Sequence, residues 1–157
     1  MNKELITSFY EAFQRLDGKA MADHYHELAY FSDPVFKNLS TEEAGAMWQM
    51  LIDRSKGELD IQFHSVEETE DTATCIWEAR YAFSQTKRRV HNVIKSKMTF
   101  EEGKIILHED QFDFWKWSRM ALGISGVLLG WTPFLKDKVR AMARNGLNDY
   151  MNKQPTK

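Results

Sequence analysis

The sequence predicts an α+β domain in which helices gather on one face of a curved antiparallel sheet, and three observations carry that prediction. Up to about Ser55, apolar residues recur every three to four positions. After Lys56-Gly57 the recurrence changes to every second residue through four successive segments, and beyond Trp117 it returns to helical spacing. Short turns between the alternating segments make neighbouring strands antiparallel.

Asn2 to Leu16 reads as an amphipathic helix, with Leu5, Phe9, Phe13 and Leu16 on one stripe and Ile6 and Tyr10 beside it. Asp17-Gly18 breaks it, and a second helix is expected from Lys19 to about Leu28, with Met21, Tyr25 and Leu28 on one side. His24 and His26 then point to opposite sides, which argues against a shared metal site. Ala29 to Asp33 is extended, because Pro34 disfavours helical conformation in the residue before it. Ser40-Thr41-Glu42-Glu43 fits a capping box, and the third helix runs to about Ser55, burying Ala44, Met47, Trp48 and Leu51.

The first alternating segment places Leu59, Ile61 and Phe63 on one face. In the second, Cys75, Trp77, Ala79, Tyr81 and Phe83 share a face; in the third, Val90, Asn92, Ile94, Ser96, Met98 and Phe100 do. The fourth, Lys104 to Trp117, follows a turn at Gly103 and organises the rest. Its inward face carries Ile106, His108, Asp110, Phe112 and Phe114, so two titratable groups stand in an apolar row. If buried, they must be hydrogen-bonded or lose charge. Ser118 to about Leu129 is apolar nearly all round, and Thr132-Pro133 caps and starts a last helix to about Met151.

One domain is expected from 157 residues, and an aromatic content of 13% favours a large core or an apolar cavity. A net charge of −2, with Lys87-Arg88-Arg89 as the one short basic run, gives no footprint for nucleic acid. Cys75 is the single cysteine, so neither an intrachain disulfide nor a cysteine metal cluster is expected. The N-terminus lacks the pattern of a signal peptide, and the uncharged stretch Met120 to Leu135 is shorter than the ~20 residues a bilayer span needs. A cytoplasmic protein without a membrane span is therefore expected.

The run Tyr10-Glu-Ala-Phe, Leu16-Asp-Gly, Tyr25-His-Glu-Leu-Ala and Ser32-Asp-Pro-Val-Phe, followed by Phe100-Glu-Glu-Gly-Lys-Ile-Ile, resembles the nuclear transport factor 2-like superfamily. That group includes ketosteroid isomerase, limonene epoxide hydrolase and polyketide cyclases of SnoaL type. The resemblance spans about residues 4 to 116. It implies a cone-shaped sheet enclosing a pocket for a hydrophobic small molecule, and many members are homodimers. A homodimer through the outer sheet face, which mixes Ile76, Arg80, His64 and Val93, is expected here, and the candidate residues call for no cofactor. The resemblance also implies a domain over residues 1–117; residues 118–157 form a helical extension outside the common core, whose apolar start suggests a lid over the pocket. Asp33, in its Asp-Pro dipeptide, matches the general base of ketosteroid isomerase, and Tyr10 matches the oxyanion tyrosine. Ser96 stands where that enzyme has a protonated Asp, and a hydroxyl is the weaker donor in an apolar site. The polar pair His108 and Asp110 looks more like the cyclase and epoxide-hydrolase branches.

The candidate acid–base set is thus Asp33, His108, Asp110 and Tyr10, with Tyr25, Trp48, Trp77, Tyr81, Asn92, Ser96 and Phe112 as the ligand-contacting wall. One carboxylate would take a proton from carbon or water while Tyr10 or His108 stabilises charge on oxygen. Structural roles stand beside these: Asp33 also suits a turn cap, Tyr10 a core aromatic, and His108–Asp110 a structural pair. Three readings stay open: a cofactor-independent isomerase, cyclase or hydrolase, a non-catalytic binder, and a dimeric interaction module.

Overall fold

The computed structural model describes residues 1–153; residues 154–157 of the expected extension lie outside the described residues. Helix α1 (Asn2–Gln14) buries Ile6, Phe9, Tyr10 and Phe13 of the expected face, while Leu5 is half-buried and Leu16 lies beyond the helix end. Asp17 caps the short α2 (Gly18–Ala22), accepting from the Ala20 N–H at 3.0 Å. Strands β1 (Tyr25–Ser32) and β2 (Leu39–Ser40) follow. The predicted capping box then starts α3 (Thr41–Ser55): Ser40 Oγ accepts from Glu43 N at 3.2 Å, and Glu43 Oε1 accepts from Ser40 N at 3.0 Å.

The four alternating segments form β3 (Asp60–Glu68), β4 (Thr72–Ala82), β5 (Arg89–Glu101) and β6 (Lys104–Gln111). The six strands make one curved, unclosed sheet in the order β2-β1-β6-β5-β4-β3. The chain ends with α4 (Phe114–Leu122), α5 (Ile124–Leu129) and α6 (Pro133–Lys153). The main core lies between α1, α3 and one sheet face; a second cluster joins Val90 to Phe114, Trp117, Ala121, Leu135 and Val139. Helix α6 reaches back to α3, with Leu147 in the main core and Arg144 paired with Glu43.

Several local expectations change. The second helix stops at Ala22, and Tyr25 to Ser32 is a strand. There, Ala29 N donates to Thr41 Oγ1 at 3.0 Å, and Tyr25 pairs with Ile105. Sheet pairing overrides a helical stripe that was fortuitous, since Leu28 is exposed. Second, β1 runs parallel to β6, because α3 and the whole β3–β5 meander lie between them in sequence. Third, β6 ends at Gln111: the Asp113 side chain accepts from Lys116 N at 3.0 Å and starts α4, so Phe114 and Trp117 are helical. A bulge also leaves Ile106 unpaired between the Thr99–Leu107 and Phe100–Ile105 partners, so Ile105 is the fully buried residue.

Candidate functional site

Sheet register decides which inward side chains meet. Ser96 lies opposite Asp110, Met98 opposite His108, Cys75 opposite Ser96, and Ala79 opposite Asn92. Across from this patch, α1 supplies Tyr10, β1 supplies Tyr25 and Phe31, and α3 supplies Trp48. His108 has no exposed surface. Its ring lies edge-on to Phe31 and Phe9, with centroids at 4.8 and 5.5 Å, and stacks with Trp48 and Tyr25 at 6.0 Å.

The hydrogen-bond partners around that ring fit one tautomer. Trp48 Nε1, which can only donate, gives its proton to Tyr25 Oη at 2.8 Å. We assign the Tyr25 hydroxyl's own proton to His108 Nδ1, 2.8 Å away, because Nε2 then keeps a proton to give to the Asp110 carboxylate. The proton therefore sits on Nε2, which donates to Asp110 Oδ1 at 2.9 Å and lies 3.1 Å from Ser96 Oγ. Tyr10 closes the group by donating to Ser96 Oγ at 2.8 Å. Burial raises the pKa of both Tyr10 and Tyr25 well above the usual phenol range, with the nearby Asp110 adding to each shift, so both stay protonated donors.

In front of this network lies a cavity of ≈ 250 Å³. Asp110, Trp77, Asn92, Tyr81, Trp48 and Phe112 line it, as does Asp33 from the turn after β1. Tyr10, Tyr25, Ser96 and His108 stand behind that wall. Asp33 also caps its turn: Oδ1 accepts from Val35 N at 2.7 Å and Phe36 N at 2.6 Å. Burial lifts its pKa to about 6 against these two bonds, and the Asp110 carboxylate pushes in the same direction. Burial likewise raises Tyr81, whose hydroxyl accepts from Trp117 Nε1 at 2.9 Å. Cys75, driven to about 12 chiefly by burial, is a neutral thiol.

Two buried polar atoms on the cavity-lining residues have no partner: Asp110 Oδ2, an acceptor, and Trp77 Nε1, a donor. Among the described residues, no group of three His, Cys, Asp or Glu is placed to hold a metal ion. Part of the remaining wall lies outside the candidate ligand-contacting set and follows a helical rule. Met47, Met50, Leu51 and Arg54 of α3, and Val139, Met142, Ala143 and Gly146 of α6, both run at i, i+3, i+4 and i+7. The spacing marks one helix face; only packing shows that the two faces meet over a cavity.

A solved structure of IdmH from Streptomyces antibioticus, a proposed polyketide cyclase, is similar at a TM-score of 0.66 and 17% identity, covering 79% of this chain and 99% of that one. AclR from Streptomyces galilaeus, a proposed hydroxylase, gives 0.64 at 16% identity over 82% and 96% of the two chains. An M. tuberculosis LEH-like epoxide hydrolase gives 0.59 at 14% identity over 80% and 93%. At these identities the likeness is one of fold. No curated protein matches the sequence. The model of the SnoaL-like domain matches residues 6–108, about two thirds of the chain, and ends on the histidine at the centre of the network. With that match and the nuclear transport factor 2-like fold, the chain belongs to the SnoaL-like domain family.

Proposed function

We propose that the cavity binds a largely apolar small molecule with an enolisable carbonyl or comparable polarised oxygen, and that Asp110 acts on it as a general base. The observation that carries this reading is the unpartnered pair, Asp110 Oδ2 and Trp77 Nε1. An acceptor on one lining residue and a donor on another suit a molecule that offers an acidic hydrogen and an oxygen together. Asp110 Oδ2 takes the proton from carbon, while Trp77 Nε1–H donates to the oxygen on which negative charge develops. The proton then returns from Asp110 to a different carbon, giving an isomerisation. Alternatively, the enolate carbon bonds to a second carbonyl carbon and Asp110 gives the proton to the alkoxide so formed, giving an aldol-type closure. In both cases Asp110 ends as the carboxylate it began as. His108 is a positioning residue here: its Nε2–H holds Asp110 Oδ1, which leaves Oδ2 for the substrate. Tyr25 and Trp48 hold His108 in turn. Asp110 activating water for hydrolysis uses the same atoms. The likeness to IdmH, a proposed polyketide cyclase, and to an LEH-like epoxide hydrolase supports this class of chemistry.

The extension from residue 118 serves this reading as a cover, since α6 contributes Val139, Met142, Ala143 and Gly146 to the wall. A homodimer through the outer sheet face is supported by the exposed Val93, which lies opposite Glu78 of the Glu78–His64–His91 group, and by the exposed Leu107 further along the sheet.

Native mass spectrometry of the purified chain, followed by turnover assays on apolar ketones and epoxides, tests the proposal. Asp110→Asn keeps an oxygen for the His108 Nε2–H, so the fold and the retained ligand should survive. Turnover should fall by about 10²–10⁴-fold, the usual contribution of a positioned base. Ligand retention with no turnover in either protein points to the binder reading. Equal turnover in both proteins would exclude Asp110 as the base.

A further inference from the structure

We propose that the ridge made by α5 and its flanks is a docking surface for an anionic lipid bilayer, an inference independent of the chemistry in the cavity. Helix α5 buries only Gly126. Ile124 is 78% exposed and Leu128 64%, and beyond the helix Trp131 and Phe134 are 71% and 69% exposed. So many large apolar side chains on one segment are far outside the scattered exposure of an ordinary surface.

Two glycines hold these side chains outward. A Cβ on Gly126 would stand 2.0 Å from the Ser118 carbonyl oxygen, and one on Gly130 would stand 2.1 Å from Ser118 Oγ. Helix α5 therefore lies directly against α4 by its glycine side, and its aliphatic side chains cannot turn inward. The indole N–H groups already have partners: Trp131 Nε1 donates to Leu128 O at 3.1 Å, and Trp115 Nε1 to Val127 O at 3.4 Å. Both rings can enter an apolar layer without orphaning a donor.

Charge selects the partner. No Asp or Glu occurs between Asp113 and Asp137, whereas Lys116, Arg119 and Lys136 do. The Lys87-Arg88-Arg89 turn joins them: Thr86 Oγ1 donates to Ala121 O at 2.5 Å, and Arg88 Nε to Met120 O at 2.9 Å, at the end of α4. An apolar ridge with Trp at its margins and cations around it matches the acyl and headgroup layers of an anionic membrane. A second copy fits poorly, because a two-fold contact would set each cluster of cations near its own image. No helix among the described residues is long and apolar enough to cross a bilayer, so the ridge lies in the interface plane.

Sedimentation of the full chain with vesicles tests this, using phosphatidylcholine alone and phosphatidylcholine mixed with phosphatidylglycerol. The chain should pellet with the mixed vesicles and far less with the neutral ones. Lys116→Gln and Lys136→Gln should each weaken partitioning about five-fold, from the usual attraction of one surface cation. The double variant Leu128→Asp, Trp131→Asp should lose binding while keeping the parent's melting temperature. Chain that stays in solution with both vesicle types would overturn the proposal. So would undiminished binding of the double variant, or a parent dimer that this variant dissociates without any vesicle binding.

Discussion

The molecule carries two apolar surfaces that differ in what interrupts them. The cavity wall is concave, and two of its residues, Asp110 and Trp77, each keep one buried polar atom without a partner, backed by a hydrogen-bonded chain from Trp48 to Asp110. The α5 ridge is exposed, its indole donors are internally satisfied, and its charges stand at the margin. Fixed polar atoms inside an apolar wall favour one arrangement of donor and acceptor and so discriminate between molecules. An apolar ridge ringed by cations discriminates only between layers of matter.

Breaking the support of the cavity wall should have the largest effect. His108→Ala removes the acceptor of the Tyr25 hydroxyl and the donor to Asp110 inside an aromatic cage. It should cost about 3–5 kcal/mol in thermal or denaturant melts. A loss near zero would mean that the network does not hold the wall.

The next effect depends on pH. The Asp33 carboxyl has an ordinary pKa of 3.8 and one of about 6 in the folded chain, so folding favours its protonated form. Its contribution to stability is fully present below the unfolded value and is lost as pH rises through the folded value. At 1.36 kcal/mol per pKa unit the loss is at most about 3 kcal/mol, and less because Asp33 keeps some exposure. Asp33→Asn should flatten the dependence between about pH 4 and pH 7 while still accepting from Val35 and Phe36. Parallel melting curves for both proteins across that window would contradict the assignment.

Gly126→Ala sharpens the comparison at the ridge. The added methyl meets backbone, not a yielding side-chain tip, so α5 must move away from α4. A loss of about 1–3 kcal/mol is expected, the usual range for overpacking. Hydrogen exchange should localise the change to residues 114–131. The smallest effect is expected from Leu128→Asp, whose side chain already faces solvent: stability should stay within about 0.5 kcal/mol. A larger loss would show that the ridge is part of the folded core.

Where the physics is local, the sequence was sufficient. Ser40 and Glu43 cap α3 because the groups that satisfy each other are three residues apart. The alternation of β4 and β5 turned Trp77, Asn92 and Ser96 to one face because side chains on a strand must alternate. Spacing also placed His108 and Asp110 on the same face of β6. It could not show that Trp48 and Phe31 close over His108 while Asp110 reaches the cavity, because those partners come from α3 and β1. The same limit explains Tyr25, which fits a helical stripe by spacing but a strand by its pairing with Ile105, eighty residues away. Local periodicity determined which side of each element is apolar. What each apolar side meets was decided by residues distant in the chain, and only the tertiary structure brings them together.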